Sequence, residues 1–134
     1  MKKAFFAFIA IITLSTGAVA QTKNTMVVTN LSPERFKAII ANDKMPAIID
    51  LRTTDEIKSK GYIKGAIQMD YLGKDFDTKL ATLDKTKPVY IYCAAGGRSG
   101  DAAEQMEKLG FKHVYNLEKG FSEWAAHGMP VEKK

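Results

Sequence analysis

Short apolar segments alternate with segments of helical periodicity along most of the chain, and this alternation constrains the fold more than any other feature. The runs at residues 47–51 and 89–92 have the length and the β-branched or aromatic content of buried strands. Shorter strands are predicted at residues 26–28, 66–69 and 113–116. Strands that alternate with helices form a largely parallel sheet, and right-handed crossovers place the helices on both of its faces. The sequence therefore predicts an α/β fold.

The helical segments have recognisable ends. Ser32 is predicted to cap a first helix that begins at Pro33, because serine accepts a backbone N–H bond and proline suits the first helical position. Thr54 is predicted to cap a second helix, which ends at Gly61. Three more helices are predicted from the apolar spacing around residues 76–83, 99–109 and 121–127.

The first 20 residues have the composition of a secretory signal. Lys2 and Lys3 precede an apolar run at residues 4–14, and small residues end at Ala20 before Gln21. The run is shorter than the roughly 20 apolar residues of a spanning helix, so we expect no stable membrane anchor. We predict cleavage near Ala20–Gln21, a periplasmic or secreted protein, and one domain over residues 21–134.

Net charge and histidine content limit the classes of ligand that the protein is expected to bind. Removing Lys2 and Lys3 leaves 18 basic against 15 acidic residues, a net charge of +3. Basic residues are scattered among acidic ones, so no nucleic-acid partner is predicted. His113 and His127 have no further ligand at metal-binding spacing, so neither a metal nor a cofactor is predicted. Nothing in the sequence requires more than a monomer.

The segment from Cys93 to Ser99 links a predicted buried strand to a predicted helix. Its two glycines allow the backbone to turn several N–H groups inward, and successive inward N–H groups bind anions. The positive end of a helix beginning near Ser99 and the charge of Arg98 favour a thiolate. We therefore predict that Cys93, the only cysteine, is a nucleophile with a lowered pKa. The alternative is an inert cysteine that fills space after a strand.

Asp50 and Arg52 follow the other apolar strand, so they belong to the same edge of the sheet as Cys93. We expect one of two roles for these residues: they contact the Cys93 loop and the substrate, or they form a structural ion pair. Glu56 is a further candidate partner for Arg52 or Arg98.

Three motifs in this order resemble the single-domain rhodanese family. The first comprises residues 48–52 and 61–67, the second residues 89–98, and the third residues 120–131. The resemblance implies a five-stranded parallel sheet flanked by helices on both faces. Three positions depart from the common family pattern: Tyr62 stands where the family often has His, Ala94 where a basic residue is frequent, and Lys119 where glycine is common.

The resemblance also implies a sulfurtransferase in which Cys93 and Arg98 are catalytic. A small-molecule donor, such as thiosulfate, a persulfide or a polysulfide, gives sulfur to Cys93, and a thiol or cyanide accepts it. Ala94 makes thiosulfate a less suitable donor than a persulfide or polysulfide. The implied substrate-binding residues are Ala94, Ala95, Gly96, Gly97, Ser99, Asp50 and Arg52.

Two other functions are compatible with parts of this pattern. A slow or non-catalytic sulfide carrier or interaction module is compatible with the same fold. A protein phosphatase also places a cysteine and an arginine around an anion-binding loop. In phosphatases five residues separate the two, whereas four separate Cys93 from Arg98, which favours binding of a sulfur atom over a phosphate.

Overall fold

The computed structural model of the protein describes residues 27–134, in which five strands alternate with five helices. The strands are β1 (Val28–Leu31), β2 (Ala47–Asp50), β3 (Ile67–Gln68), β4 (Val89–Tyr92) and β5 (Val114–Leu117). The helices are α1 (Pro33–Asn42), α2 (Thr54–Lys60), α3 (Phe76–Ala81), α4 (Gly97–Lys108) and α5 (Gly120–Ala126). No helix within these residues is long and apolar enough to cross a membrane.

All strand pairs are parallel, and the order across the sheet is β1-β5-β4-β2-β3. This arrangement confirms the predicted five-stranded parallel α/β fold. Asp50 at the end of β2 lies opposite Tyr92 at the end of β4. The segments after these two strands therefore meet at one edge of the sheet, where ligands bind in such folds.

Alternate side chains of β4 pack into separate cores on the two faces of the sheet. Val89 and Ile91 join a cluster that includes residues of α3 and α4, and Cys93 belongs to this cluster. Tyr90 and Tyr92 join a second cluster that includes residues of α1 and α5. Because both faces are covered, all four residues of β4 are buried, which explains its continuous apolar sequence.

Several element boundaries differ from the sequence prediction by a few residues. β1 covers Val28–Leu31, whereas a strand was predicted at residues 26–28, because its backbone pairs with Val114–Leu117 of β5. Thr53, not Thr54, caps α2, because Thr53 and Glu56 form a reciprocal capping box. Ser32 caps α1 as predicted. The predicted signal at residues 1–20 lies outside the described residues.

Candidate active site

The loop between β4 and α4 places Cys93 at the carboxyl end of a fully buried strand. α4 begins at Gly97, two residues before the predicted start near Ser99. The residue before it, Gly96, has φ 102°, a left-handed conformation that glycine adopts readily. Ser99 therefore lies within the first turn of α4, where it is buried beside Cys93.

Hydrogen-bond donors surround the sulfur of Cys93, which is 1% exposed. The Gly96 N–H donates to Sγ at 3.1 Å, and Oγ of Ser99 lies 3.4 Å from Sγ. Burial raises the pKa of the thiol, but the hydrogen bond with the Ser99 hydroxyl and the N–H groups of Ser99, Gly96 and Ala95 outweigh it. The pKa of Cys93 consequently lies below its ordinary value. The loop thus favours a negatively charged sulfur.

Arg98 connects the loop to the start of α2. Its guanidinium donates to both carboxylate oxygens of Glu56, at 2.8 and 2.7 Å. Glu56 is itself held by the backbone and hydroxyl of Thr53. The bond to Glu56 raises the pKa of Arg98, and the negative charge of Cys93 adds to this effect. The predicted catalytic role of Arg98 includes stabilising the charge of the donor or bracing the loop, and the paired geometry favours bracing.

Asp50 and Arg52 form an ion pair of 2.7 Å, and each residue is 1% exposed. Tyr92 donates its hydroxyl to Asp50, and Arg52 also donates to the Gly61 carbonyl. The guanidinium lies over the ring of Phe121, 4.0 Å from its centroid. These groups are buried and bonded to one another, an arrangement that fits the structural ion pair, which is one of the two roles predicted for them.

The start of α5 binds the backbone of the loop that begins at Cys93, a contact that the sequence analysis missed. Phe121 donates its N–H to the Cys93 carbonyl at 2.8 Å, and Ser122 donates to the Ala94 carbonyl at 3.0 Å. A Cβ atom on Gly120 would lie 2.5 Å from the Cys93 carbonyl oxygen. Only glycine permits this approach, and Gly120 in the third motif was the signal that pointed to it.

The other predicted loop residues form the outer wall of the site. Ala95 and Gly97 are exposed, and Ala94 is partly buried. A Cβ atom on Gly97 would meet nothing within 4 Å, so space is open beside the loop. The small side chains at these positions leave the outer side of the loop uncovered, while Cys93 itself is 1% exposed. No group of three or more metal-ligating side chains occurs within residues 27–134.

Comparisons with known proteins agree with this geometry. The family model for the Rhodanese-like domain matches residues 32–127. The chain belongs to the rhodanese family. A sulfurtransferase of Allochromatium vinosum is 30% identical over 105 residues, which cover 78% of this chain and 95% of that protein.

Two further rhodanese relatives extend the comparison. A Bacillus subtilis protein named as a candidate sulfur carrier is 32% identical over 83% of this chain, which spans 58% of that protein. The solved polysulfide-sulfur transferase homodimer of Wolinella succinogenes is 29% identical, with a TM-score of 0.67 and 80% of each chain covered. The family and its sulfurtransferase members support a role in sulfur transfer.

Proposed function

We propose that the protein is a sulfurtransferase that carries sulfur as a persulfide on Cys93. The observation that carries this proposal is the buried sulfur, which receives N–H groups of the 93–99 loop and has a lowered pKa. A thiolate needs no general base, and the lowered pKa of Cys93 favours that form as the nucleophile of covalent catalysis.

The proposed reaction has two displacement steps. The Cys93 thiolate attacks the outer sulfur of the donor, the donor's sulfur bond breaks, and its electron pair leaves with the departing group. Cys93 then holds the extra sulfur as an anion beside the N–H groups of Gly96 and Ser99. An acceptor thiolate or cyanide attacks that sulfur, and the electron pair of the broken S–S bond returns to Cys93. No net oxidation occurs, so no redox cofactor is required.

We propose a persulfide or polysulfide as the donor in preference to thiosulfate. Thiosulfate carries two negative charges, and the nearest loop cation, Arg98, is bound through both nitrogens to Glu56. Position 94, next to the cysteine, is occupied by an uncharged alanine. The relative from Wolinella succinogenes, named a polysulfide-sulfur transferase, supports the same choice.

The experiment uses residues 21–134 and the matched variant Cys93→Ser. Each protein is incubated with thiosulfate or with polysulfide, and its intact mass and the thiocyanate released by cyanide are recorded. We expect Cys93 to gain one sulfur and release thiocyanate, more rapidly with polysulfide, and the variant to do neither. Equal sulfur gain in the variant would place the sulfur elsewhere and contradict the mechanism.

A slow sulfur carrier is the second candidate, favoured by the relative named for sulfur carriage. The same experiment separates the two functions. A stable sulfur adduct that cyanide and thiols do not remove over many minutes would indicate a carrier rather than an enzyme. No adduct with either donor would reject both functions.

A further inference from the structure

A cleft of about 260 Å³ adjoins the catalytic loop and is not used by the mechanism above. It lies between the start of α1 and the connection from β5 to α5, at the carboxyl edge of the sheet. The cleft is lined by Ser32, Pro33, Glu118, Lys119, Glu123 and His127.

Lys119 links this cleft to the site of the sulfur. A Cβ atom placed on Gly96 would lie 3.3 Å from the backbone nitrogen of Lys119, so the two backbones are in contact. The N–H of Gly96 in turn lies 3.1 Å from the sulfur of Cys93. One residue of the loop therefore separates the cleft wall from the reacting atom.

The backbone of Lys119 is unusual among residues 27–134, in which it is the only non-glycine residue with positive φ. Its φ of 58° and ψ of 7° are left-handed, a conformation that costs an L-residue roughly 1–2 kcal/mol. Glycine would remove this cost. Residues held in such conformations cluster at functional sites, which points to a function for the lysine side chain.

The charges of the cleft fall into two groups. His127 bonds Glu34 at 2.6 Å and Glu123 at 2.8 Å, so these three side chains are paired with one another. Glu118 and Lys119 form no ion pair with any residue that the structure describes. The cleft therefore offers one uncommitted ammonium and one uncommitted carboxylate.

We propose that Lys119 and Glu118 bind the sulfur acceptor, and that this acceptor is a small thiol with both a carboxylate and an ammonium group. The acceptor carboxylate contacts Lys119 and its ammonium contacts Glu118, which brings its sulfur to the loop. The acceptor thiolate forms a bond to the outer sulfur of the Cys93 persulfide, and the electron pair of the broken bond returns to Cys93. This inference rests on the proposed sulfurtransferase function.

The test measures transfer from protein that has been loaded with sulfur and freed of donor. Its intact mass is followed at increasing concentrations of four thiols: cysteine, 3-mercaptopropionate, cysteamine and 2-mercaptoethanol. These carry both charges, the carboxylate alone, the ammonium alone and neither charge. The half-saturating concentration and the maximal rate of sulfur loss are obtained for each thiol and each protein.

Lys119→Gly removes the ammonium and also the backbone strain, so we expect its thermal midpoint to be no lower than that of the wild type. We expect the half-saturating concentration to rise about two- to fivefold more for the two carboxylate-bearing thiols than for the other two, as for a partly exposed ion pair. The half-saturating concentration of each thiol is expressed as the ratio of variant to wild type, so differences in intrinsic reactivity between the thiols cancel. Lys112→Gly, which removes an exposed lysine elsewhere, is the control.

Glu118→Gln removes the carboxylate that is proposed to contact the ammonium of the acceptor. Its half-saturating concentration should therefore rise more for cysteine and cysteamine, which carry an ammonium, than for the other two thiols. Equal ratios for all four thiols in both variants would overturn the acceptor site and leave the sulfurtransferase function intact. Sulfur loading without transfer from wild-type protein to any thiol or to cyanide would overturn both. If Lys119→Gly is less stable, Lys119→Asn tests the same charge, because asparagine also tolerates the left-handed region.

Discussion

Two arginine–carboxylate pairs lie near the edge of the sheet that holds Cys93, and they differ mainly in their exposure to solvent. Arg52 and Asp50 are 2.7 Å apart, with side chains 1% and 2% exposed. Arg98 and Glu56 are also 2.7 Å apart, but their side chains are 22% and 30% exposed. The chemical groups and the distance are the same, so burial must account for any difference in role.

Burial makes the first pair costly to form and more costly to break. Two charges removed from water need further partners, which Arg52 and Asp50 find in Tyr92, Gly61 and Phe121. Such a pair supports the fold, and of its buried side-chain atoms only Nη1 of Arg52 has no hydrogen-bond partner among the described residues. The pair of Arg98 and Glu56 is partly exposed, so its formation costs less desolvation energy. Arg98 also interacts with the negative charge of Cys93.

The largest expected effect follows from breaking the buried pair. Asp50→Asn leaves the charge of Arg52 buried without a carboxylate, so we expect the free energy of unfolding to fall by about 3–5 kcal/mol. Urea denaturation measures this change. Asp75→Asn breaks an exposed pair with Lys79 and should cost at most about 0.5 kcal/mol. A loss below about 1 kcal/mol for Asp50→Asn would remove the distinction between the two pairs.

Breaking the partly exposed pair should change the chemistry more than the stability. Arg98→Met removes the guanidinium that interacts with the charge of Cys93, so the pKa of Cys93 should rise. A rise of one unit would slow alkylation at pH 7 by up to about tenfold. Alkylation rates measured against pH give the pKa, with Arg35→Met as control. Unchanged alkylation together with a large loss of stability would assign Arg98 to the fold alone.

The smallest expected effect is on the stability of the protein at acidic pH. The hydrogen bond from Arg98 lowers the pKa of Glu56 from 4.5 to about 2. Because the folded-state pKa is the lower one, the pair contributes its full stability above the unfolded pKa and loses it as pH falls toward 2. The thermal midpoint of wild type minus that of Glu56→Gln should therefore be constant from pH 7 to 5 and shrink below. Calorimetry that finds this difference independent of pH would contradict the assignment.

Local sequence signals predicted most of the elements and the position of the site. The strand at Val89–Tyr92 has the bounds that were predicted, because a parallel strand buried on both faces is apolar throughout and is therefore visible in the sequence. The edge strand β1 was displaced in the prediction, since its bounds follow from backbone pairing with Val114–Leu117 of β5, which is distant in the chain. The choice of Thr53 over Thr54 as the cap was available from the sequence and was overlooked, because Glu56 lies three residues after Thr53, the spacing of a capping box.

The sequence by itself determined the alternation of strands and helices, the loop with Cys93, and the family to which both point. These features depend on local periodicity and on short motifs. Only the tertiary structure decided which carboxylate pairs with each arginine, that α5 clamps the loop, and that Lys119 borders a cleft beside it. Those outcomes depend on contacts between residues far apart in the chain, because burial and charge pairing are settled only when the helices pack on the sheet.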